Sequence, residues 1–230
     1  MYMKHLIIAT VGAALLASPI FASAQAKNFE GFKAELGAGY AQVKTTASGG
    51  TITGASAYTT SYTTSADNLN TPLFFLGLGY DYAINDSWLI GVGGTYAPFN
   101  SKTGDQSLTV NPLGKTTQGR YWFNNAYSLF VKPSYVIDKD STVYGKVGYT
   151  GLSTNVDSAS VNLTGMMFAA GYTRNFDKNL YGFAEVAYAK YGDGDLPTNF
   201  FASTITSTAV NNGTVSASAM EIKFGIGYKF

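Results

Sequence analysis

The C-terminal stretch MEIKFGIGYKF, residues 220–230, alternates between two kinds of side chain. Every second residue is large and apolar, and the residues between them are Glu221, Lys223, Lys229 and two glycines. Successive side chains of a β-strand point to opposite faces of the sheet. The stretch therefore predicts a strand with one apolar face and one face that carries all its charges.

Seven further stretches have the same period of two, and none shows the spacing of an amphipathic helix. The predicted strands are residues 31–44, 72–84, 88–101, 124–137, 141–153, 163–176 and 180–191, followed by the C-terminal strand. The predicted tight turns are 85–87, 138–140 and 177–179, and the longer connections are 45–71, 102–123, 154–162 and 192–214. Asn211-Asn212-Gly213 in the last connection is a hairpin signal. The pattern predicts an all-β fold, an eight-stranded antiparallel up-and-down transmembrane β-barrel with short periplasmic turns and longer extracellular loops.

Large apolar residues recur in pairs eight positions apart in five of the predicted strands. An even separation keeps both members of a pair on one face of the strand. Eight residues of a strand that is tilted in a barrel rise roughly 20 Å along the barrel axis. This rise is close to the spacing between the two aromatic girdles of an outer-membrane barrel. The predicted pairs are Phe32 with Tyr40, Phe74 with Tyr82, Trp88 with Tyr96, Tyr127 with Tyr135, and Leu180 with Tyr188.

Eight charged residues lie on the opposite face of the strands from these pairs. A Lys near the middle of a lipid-facing surface costs about 2–4 kcal/mol, so this face is expected to point into the barrel. Buried charges must be paired, which the equal number of acids and bases permits. The predicted interior network consists of Lys33, Glu35, Asp81, Lys132, Lys146, Glu185, Glu221 and Lys223. Pro133 lies inside a predicted strand and could mark a bulge, since proline cannot donate to the ladder.

Composition excludes several functional classes. The chain of 230 residues has 15 basic and 14 acidic groups, which argues against nucleic acid as a partner. It has no Cys, and its one His lies at position 5, so disulfides, a Ser–His hydrolase and imidazole or thiolate metal sites are not expected. We expect no enzyme activity and no cofactor.

The N-terminal residues 1–26 have the layout of a secretory signal peptide. A basic start is followed by an apolar run from Leu6 to Phe21 and by small residues. This run is shorter than the roughly 20 residues that span a bilayer as a helix. Cleavage is expected after Ala24 or Ala26, which leaves residues 27–230 as the barrel domain.

Three motifs resemble the opacity-protein and OmpA-like family of small outer-membrane barrels. They are LFVKPSY at 129–135, VYGKVGY at 143–149 and GIGYKF at 225–230. The resemblance implies an outer-membrane protein of a Gram-negative bacterium. It also implies that a C-terminal aromatic signal, here Tyr228 and Phe230, is read by the barrel-assembly machinery after delivery by periplasmic chaperones.

Two functions remain open on this resemblance. The first is a non-enzymatic barrel that contacts lipid and lipopolysaccharide and serves envelope integrity, or binds a host or surface ligand through its loops. The second is a passive pore for small solutes. Arg120 and Lys190 are candidate contacts to lipopolysaccharide phosphates, because both are expected near the outer aromatic belt.

Overall fold

The computed structural model describes residues 25–48, 51–53, 59–66, 68–98, 101, 103–110, 115–156, 159–195 and 214–230. Within these ranges the chain forms strands and one short 3-10 helix, η1, at Ala26–Asn28. The strands are β1 Gly31–Ser48, β2 Thr51–Thr53, β3 Thr59–Ala66, β4 Leu69–Ala83, β5 Trp88–Ala97, β6 Gly104–Val110, β7 Lys115–Asp138, β8 Ser141–Val156, β9 Ala159–Asn175, β10 Leu180–Tyr191, β11 Gly194–Asp195 and β12 Thr214–Lys229.

Eight of these strands close into an antiparallel ring, which confirms the predicted up-and-down barrel. Around the ring the order is β1, β4, β5, β7, β8, β9, β10 and β12, and β12 pairs with β1 to close it. The three tight turns lie between β4 and β5, between β7 and β8, and between β9 and β10. Strands β5, β8 and β10 begin at the residues that the sequence pattern predicts.

The prediction of a loop over residues 102–123 is wrong, because much of this segment forms strands. Residues Gly104–Val110 form β6, which pairs with the first residues of β7 from Lys115 to Tyr121. β3 then pairs with β6, and β2 pairs with β3, so the sheet continues beyond the ring through the first part of β7, β6, β3 and β2. These residues alternate poorly in polarity because a hairpin outside the lipid has no apolar face to maintain. The predicted hairpin signal at 211–213 and the predicted signal peptide, apart from Gln25 and Ala26, lie outside the described residues.

A bulge occurs in β7, but not at Pro133. On both sides of this proline the register to β8 is the same, with Val131 opposite Val147 and Ser134 opposite Tyr144. The register shifts instead between Asn124 and Tyr127. Asn125 there has a φ of 52°, a left-handed conformation that asparagine tolerates.

The bulge exchanges the two faces of β7. On the N-terminal side of the bulge, Tyr121 and Phe123 are buried. On its C-terminal side, Ser128 and Lys132 are buried instead. An extra residue shifts the period-two alternation by one, so the inward positions change from odd to even numbers.

Apolar residues close both ends of the barrel interior. At the end with the tight turns, Ala26 and Phe29 of the η1 segment pack with Leu89 and Val136. The backbone N–H of Ala26 donates to the carbonyl of Asp86 at 3.1 Å, which anchors the segment. At the other end a larger cluster fills the interior; it includes Val43, Leu69, Tyr121, Phe123, Leu152, Leu163, Tyr191 and Val215. Among the described residues, no helix is long and apolar enough to cross a membrane.

Candidate functional site

The outer wall of the barrel is a continuous apolar surface. All ten residues of the predicted pairs point outward and are exposed: Phe32, Tyr40, Phe74, Tyr82, Trp88, Tyr96, Tyr127, Tyr135, Leu180 and Tyr188. Between them lie exposed aliphatic and aromatic side chains, including Leu36, Leu76, Leu78, Val92, Leu129, Val131, Val147, Val186, Ile222 and Phe224. A surface of this extent is compatible with lipid and not with water.

Neighbouring strands bring rings of this surface together near the turn end. Trp88 and Tyr135 are directly opposite each other, with ring centroids 5.1 Å apart in an edge-to-face arrangement. Phe32 and Tyr80 meet in the same way at 4.8 Å. Tyr228 and Phe230 also pack together, and the N–H of Phe230 donates to the carbonyl of Phe32 at 2.9 Å.

The predicted interior charges lie inside the barrel in two groups. The first group surrounds Asp81, nearer the turn end. Its carboxylate accepts from Lys33 at 2.5 Å and from Lys132 at 2.9 Å. These residues come from β1, β4 and β7, and all three are buried. Two ammonium groups on one carboxylate leave this group with an excess positive charge.

The second group surrounds Glu185 on β10. Its two carboxylate oxygens accept from Lys146 at 2.7 Å and from Lys223 at 2.9 Å. Lys223 also donates to Glu221 at 3.0 Å, so four charges from three strands form one neutral chain. The side chain of Glu185 is only 2% exposed, whereas that of Glu221 is 22% exposed.

Glu35 is bound differently from the other predicted charges. It accepts a hydrogen bond from the hydroxyl of Tyr181 at 2.9 Å. Neither this tyrosine nor Tyr144, whose hydroxyl donates to Glu185 at 3.0 Å, belongs to the interior network predicted from the sequence. Both tyrosines lie on the inward face of their strands, so strand parity was the signal that could have identified them.

Glycines provide the room for these tyrosine rings. A Cβ atom at Gly171 would overlap the ring of Tyr144, and one at Gly227 would overlap the ring of Tyr181. The positive charges also face aromatic rings, with the Nζ of Lys146 4.2 Å from the ring centroid of Phe130. Such contacts stabilise a desolvated ammonium group. Together, the charges and rings form a buried polar layer inside the barrel.

A cavity of about 100 Å³ lies next to this polar layer and is lined on its other sides by residues of the apolar cluster at the far end. Glu221 and Lys223 are part of its lining on the side of the polar layer. Hydroxyl groups form a strip along one wall, where Thr95 and Ser128 are 2.6 Å apart. Most of the remaining lining is apolar.

Part of the cavity lining belongs to residues that also reach the outer wall. These residues include Pro72, Phe74 and Tyr127, which are exposed on the outside. Pairing of β4 with β5 starts only at Leu76, so the first part of β4 has no β5 partner among the described residues. Pro72, which cannot donate to a ladder, lies in this part of β4.

The described residues contain no group of three or more His, Cys, Asp or Glu side chains that could hold a metal ion. What the lumen offers chemically is a set of fixed charges, hydroxyls and apolar walls. This arrangement can bind a small molecule or exclude ions from the axis.

No family model matches the chain, and no curated protein matches it. Solved structures do match. OprG of Pseudomonas aeruginosa, an outer membrane protein, is 16% identical, with 87% of this chain and 97% of that chain covered and a TM-score of 0.50. Ail, the attachment invasion locus protein of Yersinia pestis, has been solved with the heparin analogue sucrose octasulfate. It is 18% identical over 87% of this chain and 99% of that one, with a TM-score of 0.42. The outer membrane protease OmpT of Escherichia coli is 9% identical over 87% and 97%, with a TM-score of 0.46.

At 16% identity the likeness to OprG concerns the fold alone, and it agrees with the ring of strands. The protein thus has the fold of the small outer-membrane β-barrels, an eight-stranded antiparallel ring with an apolar outer wall, as its resemblance to the opacity-protein and OmpA-like family implies.

Proposed function

We propose that this protein is a non-enzymatic outer-membrane barrel with a closed axis, which acts in envelope integrity or in surface interactions through its extracellular side. The observation that carries the proposal is the buried layer around Asp81 and Glu185. Charges paired at 2.5–2.9 Å link strands across the interior, and the η1 segment packs into the turn end; both support a closed axis.

A contact with lipopolysaccharide is part of this proposal. Lys44 on β1 and Lys190 on β10 lie opposite the same residue of β12, Ser218, one on each side. Both are exposed on the outer wall beyond the girdle residues Tyr40 and Tyr188. Two strand spacings separate them by roughly 10 Å. Two ammonium groups at this level are suited to bind the phosphates of the outer leaflet. Arg120 on β7 is also exposed, but its strand is not adjacent to these two.

The proposal that it is not an enzyme rests on residue types. The one His of the chain is His5, within the predicted signal peptide, and the interior carboxylates are bound to lysines or tyrosines. A carboxylate shared by two ammonium groups is a poor general base. We also propose that residues 27–230 form the barrel domain, that periplasmic chaperones deliver the chain, and that Tyr228 and Phe230 are read during assembly.

The closed axis is tested by conductance across a planar lipid bilayer. Purified barrel is first shown to be folded by its heat-dependent gel mobility, and an extract from cells without the protein serves as the control. We expect no single-channel steps. Uniform conductance steps above those of the control would instead support the second candidate, a passive pore for small solutes.

One observation favours this second candidate, namely the cavity between the polar layer and the apolar cluster. It would supply half of a solute path. Passage would still require Lys146 and Lys223 to leave Glu185, which costs several kcal/mol for buried ion pairs. The closed barrel is therefore the better-supported function.

A further inference from the structure

The carboxylates of the interior differ in how many ammonium groups they bind. Asp81 binds two, Lys33 and Lys132, and Glu185 binds two, Lys146 and Lys223. Glu221 binds one among the described residues, since only Lys223 reaches it, through one of its carboxylate oxygens at 3.0 Å. Glu221 is therefore the carboxylate of the second group that can accept a further hydrogen bond from an ammonium group.

The position of Glu221 makes this capacity accessible. Its side chain is 22% exposed, against 2% for Glu185, and it lines the cavity. Lys223, which also lines the cavity, is held by two carboxylates, so its charge is compensated on the protein side. A molecule in the cavity therefore meets one partly compensated negative charge.

The cavity walls around the carboxylate of Glu221 are apolar and include several small side chains. Ala187, Ala189 and Ala219 line one side, and Phe75 and Met167 also contribute. Ligand sites typically combine mainly apolar walls with a few polar groups. The shape and chemistry fit an apolar body with one charged donor at its end.

We propose that this cavity binds a small apolar molecule that carries a primary ammonium group. The ammonium group donates to the second carboxylate oxygen of Glu221, so that this carboxylate binds two ammonium groups, as Glu185 does. The apolar body lies among the alanines, and the hydroxyl of Ser128 is available to a second polar atom. This binding site goes beyond the proposed function and does not depend on whether the axis conducts.

Three probes of one shape test the charge requirement: 1-naphthylmethylamine, the neutral 1-naphthylmethanol and the anionic 1-naphthoate. Binding is measured by calorimetry with the barrel in phosphatidylcholine nanodiscs, after subtraction of partition into empty nanodiscs. We expect the amine to bind roughly tenfold or more tightly than the alcohol, because a charge-assisted bond in a water-poor site is stronger than a neutral one. The carboxylate probe should bind most weakly.

Two substitutions locate the site. Glu221→Gln should remove the preference for the amine over the alcohol, and Glu30→Gln, at the turn end, is its matched control. Ala219→Val should weaken all three probes because it fills the cavity, and Ala170→Val, on the outer wall, is its matched control. Thermal unfolding of each variant shows that it is folded.

Several results would overturn the proposal. Equal affinity for amine and alcohol in the unaltered protein would show an apolar cavity without charge recognition. If the Glu221→Gln variant still binds the amine more tightly than the alcohol, the ammonium group does not bind to Glu221. Equal weakening by Ala219→Val and Ala170→Val, or binding no greater than in empty nanodiscs, would mean that the probes only partition into lipid. The comparison of the three probes needs no variant, so the proposal can fail even if a variant does not fold.

Discussion

Replacement of Glu185 by alanine should destabilise the barrel, because it removes the carboxylate that binds the buried Lys146. The substitution leaves Lys146 buried without a carboxylate within 4 Å among the described residues, with its side chain only 4% exposed. Lys223 is less affected, since it keeps Glu221 at 3.0 Å. Removal of one partner from a buried ion pair costs about 3–5 kcal/mol. The hydroxyl of Tyr144 also loses its acceptor.

Unfolding in urea, followed by tryptophan fluorescence of the barrel in lipid vesicles, measures this loss. With a slope of about 3 kcal/mol per molar urea, Glu185→Ala should lower the midpoint by roughly 1–1.7 M. Glu221→Ala is the matched control, because its side chain is partly exposed and Lys223 retains Glu185. Its midpoint should fall by less than half as much.

A double substitution separates the lost pair from a general packing defect. In Lys146→Met with Glu185→Leu no charge is stranded, and stability should return close to that of the unaltered protein. The reasoning is refuted if Glu185→Ala leaves the midpoint unchanged, or if the double variant is as unstable as the single one.

The remaining predictions concern assembly, packing and processing. Deletion of Phe230, which is 74% exposed, should lower outer-membrane levels in cells while refolding into detergent stays nearly normal; equal loss in both assays would point to stability instead. Gly171→Ala should destabilise the barrel by about 1–3 kcal/mol, because the methyl group overlaps the buried tyrosine ring beside it. Gly145→Ala is the control, with its nearest contact at 3.8 Å, and equal urea midpoints of the two would contradict this account. Mass spectrometry of the mature protein should give Gln25 as its first residue, since the next residue is fully buried at the turn end; a start at Lys27 would exclude that packing.

The sequence alone was sufficient for the architecture. Alternation with a period of two marks each membrane strand, because one face must meet lipid and the other must not. Tight turns are marked by Asn and Asp, so the starts of β5, β8 and β10 at Trp88, Ser141 and Leu180 match the prediction. The same alternation assigns Glu185 and Lys146 to the inside.

The strand prediction was wrong where polar and apolar residues do not alternate. The hairpin of β6 with β7 lies beyond the ring and shows no polarity pattern, so the sequence predicts a loop where Gly104–Val110 forms a strand. The bulge at Asn125 shifts the inward face by one residue without a signal in composition. Pro133, which was a candidate for the bulge, sits in an unbroken register.

The sequence by itself determined which side chains face inward, and only the tertiary structure decided which of them touch. Parity is a local property of one strand, whereas a contact across the barrel depends on the register of all strands between the two residues. Lys146, Glu185 and Lys223 meet because β8, β10 and β12 bring them to one level. For the same reason Glu35 binds a tyrosine rather than a lysine, and Glu221 is left at the edge of a cavity.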